Sequence, residues 1–166
     1  MDHLWTPWRS TYIKSNKDQR CIFCLAAESA DDEKTLVVYR ASFNFIILNR
    51  YPYTNGHLMI APYQHVSRLT ALAENITAEM MQLARLAESV LEKVYRPHGL
   101  NLGLNLGEAA GAGIEQHLHL HVLPRWKGDA NFMTTIAETR IIPELLDETY
   151  KKLKSGFSAY VSESGA

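Results

Sequence analysis

No stretch of this 166-residue chain runs to eighteen apolar residues, so the sequence carries no candidate for a membrane-crossing helix. Its opening, MDHLWTPWRS, has neither the basic start nor the apolar core of a secretory signal. Cysteine is almost missing too. The two that occur, Cys21 and Cys24, are too few and too close for a disulfide framework, and a reducing, cytoplasmic setting is expected. Neither sign of charge is in excess, since 17 Lys and Arg stand against 18 Asp and Glu, a net −1. That balance argues against a nucleic-acid surface. Lys151, Lys152 and Lys154 then read as the solvated face of a C-terminal helix, and no internal repeat is present.

What the chain does have is apolar content of 46%, enough for one full core, and an unusual placement of its seven histidines. Three of them alternate in HLHLHVLPRW, residues 117–126. In an extended strand His117, His119 and His121 line one face about 6.8 Å apart, while Leu118, Leu120 and Val122 line the other. The apolar face can be buried, and the opposite face presents three imidazoles able to donate, accept or attack near neutral pH. Pro124, lacking an N–H, is expected to end the strand. A half-exposed structural strand has no use for three imidazoles. A metal trio remains the functional rival at this point.

The periodicities predict strands near 35–39, 43–48, 57–62, 100–106 and 117–123. A helix over 77–95 carries Met80, Leu83, Ala84, Ala87, Val90, Leu91 and Val94 at helical spacing and stops before Pro97. A second runs from about Pro143 to Leu153. The expected architecture is α+β, an antiparallel five-stranded sheet with two main helices on one face. An N-terminal arm at 1–34 would carry the cysteine pair, a folded domain would span 35–155, and a tail would occupy 156–166. Trp5, Trp8 and Tyr12 make the arm too aromatic for free solvent.

The triad and its surroundings resemble the histidine triad family of nucleotide-binding enzymes. The resemblance extends over FNFIILNRYPYTNGHLMIAPYQHV at 43–66, LNLGLNLGEAAGAGIEQ before the triad and PRWKGDANFM after it, covering about residues 35–135. NRYPYTNGHLMIAP is closest to the fragile-histidine-triad branch, which cleaves diadenosine polyphosphates. LWTPWRSTYI, PRW and GDANFM further resemble bacterial relatives of diadenosine tetraphosphate phosphorylases. The resemblance implies a five-stranded fold and assigns His119 as the nucleophile attacking the α-phosphorus, His121 as donor to a non-bridging oxygen, and the His117 carbonyl as the group orienting the nucleophile. It places His57 beside the triad and Asn49 at a ribose-binding position. Asn49 can equally start the turn that follows, and His57 can simply begin a strand. Phe43 and the alternating strand after it are expected to hold the nucleoside.

Glycines 107, 111 and 113, with Asn105, suit a loop that turns its N–H groups toward polyphosphate. Many family members place Gln, Ser or Thr shortly after the loop's last glycines, whereas this chain reads Ala112-Gly113-Ile114, so backbone amides or Gln116 must serve instead. Arg50 and Arg125 are either phosphate partners or surface charges. Cys21-x-x-Cys24 by itself fits a redox pair, a metal half-site or two buried thiols. With His65 and His117, which relatives carrying this cysteine pair also have, it makes a closed Cys₂His₂ set for structural zinc that leaves no open position for substrate.

The expected function is cleavage of a dinucleoside polyphosphate, such as diadenosine tetraphosphate, through a nucleotidyl-histidine, with water or phosphate as acceptor. The alternatives are a purine nucleotide-binding scaffold, a nucleoside phosphoramidate hydrolase, and a mononuclear metal enzyme using the histidine trio. His121, where the sugar-phosphate uridylyltransferase branch has Gln, argues against that branch. The expected partner is a nucleotide, with neither nucleic acid nor membrane. A homodimer is expected from the resemblance, with the apolar helix from Thr77 to Tyr95 as its surface.

Overall fold

Alternating and continuous apolar runs separated by turn residues fold into five strands: β1 (Val37–Arg40), β2 (Asn44–Leu48), β3 (Leu58–Pro62), β4 (Gly99–Leu104) and β5 (Leu120–Arg125). The computed structural model of the protein describes residues 20–129 and 144–164. Its sheet has the order β1-β2-β3-β5-β4, and every neighbouring pair is antiparallel. This is the expected α+β architecture. Trp5, Trp8, Tyr12, Pro143 and most of GDANFM lie outside the described residues.

The long helix, α3 (Glu74–Tyr95), begins three residues before the expected start. It ends where Arg96 turns into the left-handed region at φ 47°, ahead of Pro97, which disfavours further helix. Its stripe of Met80, Leu83, Ala84, Ala87, Val90 and Leu91 is buried. Register puts Ile46, Ile60 and Leu120 on one sheet face, with Asn44 two residues along from Ile46. Asn44 Nδ2 donates to the Ile76 carbonyl at 3.0 Å and to Glu79 Oε2 at 2.8 Å, so α3 lies on that face. The core there includes Leu48, Leu58, Ile60 and Val122, each 2% exposed or less. Each such side chain contributes roughly 1.5–3 kcal/mol by leaving water.

Two expectations about the ends of elements change. The C-terminal helix, α4, runs Leu146–Ser164 rather than stopping at Leu153, so a tail beginning at 156 would start in mid-helix. Gly156 reads in sequence as a helix breaker, but a Cβ there would meet Val94 Cγ2 at 2.9 Å and Val90 Cγ1 at 3.0 Å. Glycine is what lets α3 and α4 approach. Phe157 follows, fully buried and stacked at 5.9 Å on Tyr39. Pro124, in turn, lies inside β5, because among the described residues β3 pairs with β5 only as far as Val122, so the missing N–H breaks no described ladder bond.

The segment expected as an arm contains two short helices, α1 (Ile22–Glu28) and α2 (Asp32–Thr35). Arg40 on β1 holds the end of α1, donating to the carbonyls of Ala26 at 2.8 Å, Ala27 at 3.3 Å and Ser29 at 2.9 Å. Asp32 then joins Arg40 to Lys154 of α4, with both contacts at 2.9 Å. No helix among the described residues is long and apolar enough to cross a membrane.

Candidate active site and metal centre

His117 and His119 precede β5 and His121 lies within it, on an extended run between β3 and the loop after β4. Leu118, Leu120 and Val122 point into the core as the alternation requires. The opposite face is not open, however. His117, His119 and His121 are 0%, 6% and 8% exposed, because α1 covers part of that face through Phe23.

Fixed backbone groups decide which nitrogen of each ring carries the proton. His117 Nε2 donates to the Pro62 carbonyl at 2.9 Å, which leaves its Nδ1 with a lone pair. His119 Nδ1 donates to the His117 carbonyl at 2.8 Å, which leaves its Nε2 unprotonated. His57 Nδ1 accepts from the Tyr53 N–H at 3.2 Å and from Asn49 Nδ2 at 3.3 Å. His57 Nε2 therefore donates to His121 Nδ1 at 2.9 Å, and His121 keeps its proton on Nε2. The rings of His119 and His121 meet edge to face with centroids 4.9 Å apart. A bare nucleophilic nitrogen thus stands beside an N–H donor.

Burial keeps both rings neutral. Desolvation lowers His119 below the ordinary imidazole value, opposed by its bond to the His117 carbonyl. Desolvation, with the neighbouring His119 in second place, brings His121 down to about 4. His117 also falls to about 4, chiefly through burial.

The lone pair of His117 points into a second cluster. Its Nδ1 is 3.3 Å from Cys21 Sγ, 3.7 Å from Cys24 Sγ and 3.2 Å from His65 Nδ1, while Cys24 Sγ is 3.2 Å from His65 Nδ1. All four ligand atoms lie within 4.8 Å of one another. A regular zinc tetrahedron with ordinary bond lengths has edges of ~3.3 Å between nitrogens and ~3.6 Å between sulfur and nitrogen. The donor set fits a cation of that size. Among the described residues this is the one cluster of side chains spaced to hold a metal ion, and it takes His117 away from His119 and His121. The trio therefore does not form one metal site.

Other expected residues are placed differently. Asn49 Oδ1 accepts the Tyr51 N–H at 2.9 Å, so its amide shapes the turn while its Nδ2 supports His57. Gly56 in that turn has φ +71°, and a Cβ there would press on the Tyr95 ring at 3.1 Å. Phe43 is 42% exposed, its backbone N–H donating to Glu79 and its carbonyl accepting from the Tyr63 N–H. Asn105, Gly111 and Gly113 belong to the loop between β4 and β5, where Gly107 and Gly111 have positive φ. The N–H groups of Ala110 and Gly111 close turns within that loop, on Gly107 at 3.2 Å and Glu108 at 2.8 Å, so a phosphate must use its other amides. Gln116 lies exposed in an open groove with His65, Val66, Ser67 and Ala71, on the metal side. Arg125 is held by Asp129 at 2.6 Å and Asn101 at 2.7 Å, and Arg50 by the Lys34 carbonyl at 3.4 Å.

Two aromatic residues at the site were not singled out in the sequence. Phe23 packs on His117 and His119, with centroids 5.0 and 4.9 Å away. Tyr53 packs on His57 at 4.8 Å and on His121 at 6.1 Å. Phe23 stands between the two cysteines, but nothing in that placement points to His119.

The described geometry has counterparts among known proteins. Residues 30–128 match the family model described as "HIT domain". A Mycobacterium tuberculosis protein named AP-4-A phosphorylase is 42% identical over 161 residues, covering 92% of this chain and 83% of that one. A Schizosaccharomyces pombe protein named bis(5'-nucleosyl)-tetraphosphatase (asymmetrical) is 31% identical over 93 residues, covering 56% of this chain and 50% of that one. Among solved structures, a zinc-bound histidine triad family protein from Mycobacterium smegmatis superposes with a TM-score of 0.68 at 25% identity, covering 86% of this chain and 96% of that one.

Proposed function

Because the chain belongs to the HIT family of histidine triad proteins, we propose that it is an enzyme that cleaves dinucleoside polyphosphates at an α-phosphorus and passes the nucleotidyl group from His119 to inorganic phosphate. The observation that carries this reading is the 2.8 Å bond from His119 Nδ1 to the His117 carbonyl, which leaves Nε2 as the attacking atom. In the first step the Nε2–P bond forms as the bond from phosphorus to the bridging oxygen breaks, and the remaining polyphosphate nucleotide departs with that electron pair. The imidazole becomes cationic on nucleotidylation, and the His117 carbonyl is already in place to accept from its Nδ1–H. His121 Nε2–H supplies a donor for a non-bridging oxygen as charge gathers there. In the second step an acceptor oxygen attacks phosphorus and His119 leaves neutral.

Phosphate as acceptor is supported by the name of the relative that aligns over 92% of the chain. With diadenosine tetraphosphate it gives ATP and ADP, whereas water gives ATP and AMP. Product analysis with and without phosphate separates them, and ATP with AMP irrespective of phosphate would replace the phosphorylase reading by a hydrolase one. The pocket for nucleoside and polyphosphate is assigned to Phe43, Asn49, Asn105, Gly111, Gly113 and Gln116 on the resemblance.

The Cys21, Cys24, His65 and His117 cluster is assigned to zinc, supported by its ligand spacing and by the zinc-bound neighbour. Bound there, the ion would tie α1 to the triad segment. Cysteines that serve a metal rather than a disulfide fit a cytoplasmic protein. A homodimer is also proposed, through a different surface from the one first expected, because the apolar stripe of α3 is consumed by the chain's own core. The surface is β4, the outer strand among the described residues, which pairs there with β5 alone and leaves Leu102 48% exposed, with Leu106 just beyond it at 46%. Light scattering at micromolar concentration should return twice the chain mass, and a monomeric mass would remove this proposal.

A further inference from the structure

We propose that Phe23 is the positioning residue that sets the plane of the His119 imidazole for attack, and that the four-ligand cluster acts on the reaction through it. The inference rests on the reading of His119 as nucleophile. One hydrogen bond at Nδ1 fixes the tautomer of His119 but leaves the ring able to pivot about that bond. Packing must set the plane. The Phe23 ring, fully buried, lies 4.9 Å from the His119 ring at an interplanar angle of 33°, while the edge-to-face contact with His121 at 4.9 Å adds a second limit. Phe23 also lies 5.0 Å from the His117 ring, so a single side chain touches both the metal-facing and the attacking imidazole.

Phe23 is itself held from both ends of α1. Cys21 and Cys24 flank it and join His65 and His117, and Arg40 holds the far end through three carbonyls. Loss of the metal would free the end of α1 that carries the ring. Displacement of an attacking atom by about 1 Å costs on the order of 100-fold in rate, so a loosened Phe23 should appear in kcat and leave KM nearly unchanged.

The test is the series Phe23→Leu, Phe23→Val and Phe23→Ala in the full chain, each measured for zinc content, melting temperature, and kcat and KM with diadenosine tetraphosphate well below melting. The expected result is zinc at the parent level, KM within about threefold, and kcat falling in the order Leu, Val, Ala to at least tenfold below the parent. Because Ala in a full core can unfold the chain, the Leu and Val members carry the decision. A folded, zinc-loaded Phe23→Val protein with the parent kcat would overturn the proposal, as would a loss confined to KM. A second readout needs no substrate: the His119 Nδ1–H resonance, sharp in the parent, should broaden through exchange in the Val variant. An unchanged resonance counts against Phe23. A parent protein that leaves the substrate intact would count against the functional reading alone, and the resonance would still decide on Phe23.

Discussion

The backbone carbonyl of His117 accepts a hydrogen bond from His119 Nδ1 at 2.8 Å, and through it one residue serves two centres. The His117 side chain faces Cys21, Cys24 and His65, while its carbonyl fixes the tautomer of the neighbouring nucleophile. Pro62 completes the arrangement by taking the His117 Nε2 proton, so that the lone pair faces the cysteines. Two centres in sequence are therefore one unit in space.

His57 is expected to act through His121. Replacing it by leucine keeps buried volume but removes the donor to His121 Nδ1, after which His121 is free to place its own proton on that atom and lose its N–H toward the phosphate. Removing such a donor lowers kcat by about 10²-fold. Steady-state kinetics of His57→Leu should show that loss with KM within a few fold. A folded variant with the parent kcat would dissolve the assigned relay.

Zinc should copurify at about one per chain. Cys21→Ser combined with Cys24→Ser should lose it and melt at a distinctly lower temperature, because the metal joins α1 to the triad segment and its binding free energy is folding free energy. Elemental analysis and thermal melts check this directly. Retained metal in the double variant would place the ion elsewhere.

Acid should destabilise the fold before the carboxylates begin to protonate. His121 titrates near 4 in the folded chain against an ordinary value of 6.5. Between those values the unfolded chain binds the proton more readily, so this contribution is whole above about pH 6.5 and is lost as pH falls toward 4. For His121 alone it amounts to on the order of 3 kcal/mol. His119, also lowered by burial, adds with the same sign. Asp32 and Glu144 are both held below their ordinary carboxylate values, so their stabilisation is lost only at lower pH. Melting temperature should thus fall between pH 7 and pH 5, and a flat profile there would mean that burial does not lower these imidazoles in the folded chain.

Much of this chemistry was legible because it is periodic. Alternation exposed His117, His119 and His121 as a set, and the strand and helix patterns gave the sheet and its two main helices. The four candidate ligands, separated by up to 96 residues, were grouped by the coordination number of zinc and by resemblance, and the structure gathers them. What escaped has no period. Nothing local to Phe23 announces contact with His119, and Gly156 looks like a helix end until Val90 and Val94 are seen against it. Asn49 illustrates a different limit, since the same amide suits ribose binding and turn formation, and its bond to the Tyr51 N–H shows the turn without bearing on the ribose. The burial of His117 and His119 was hidden for the same reason as Phe23: α1, which covers that part of the face, is short and carries no strong helix signal of its own.

The most direct test of the account is to mix the protein with diadenosine tetraphosphate, quench within milliseconds and map the adduct by peptide mass spectrometry, with His119→Ala in parallel. The expected result is an adenylyl group on His119 in the parent and none in the variant, which should still bind nucleotide within about tenfold of the parent while turning over no substrate. An adduct on another residue, or a folded His119→Ala protein with the parent rate, would contradict the assignment of His119 as the attacking group.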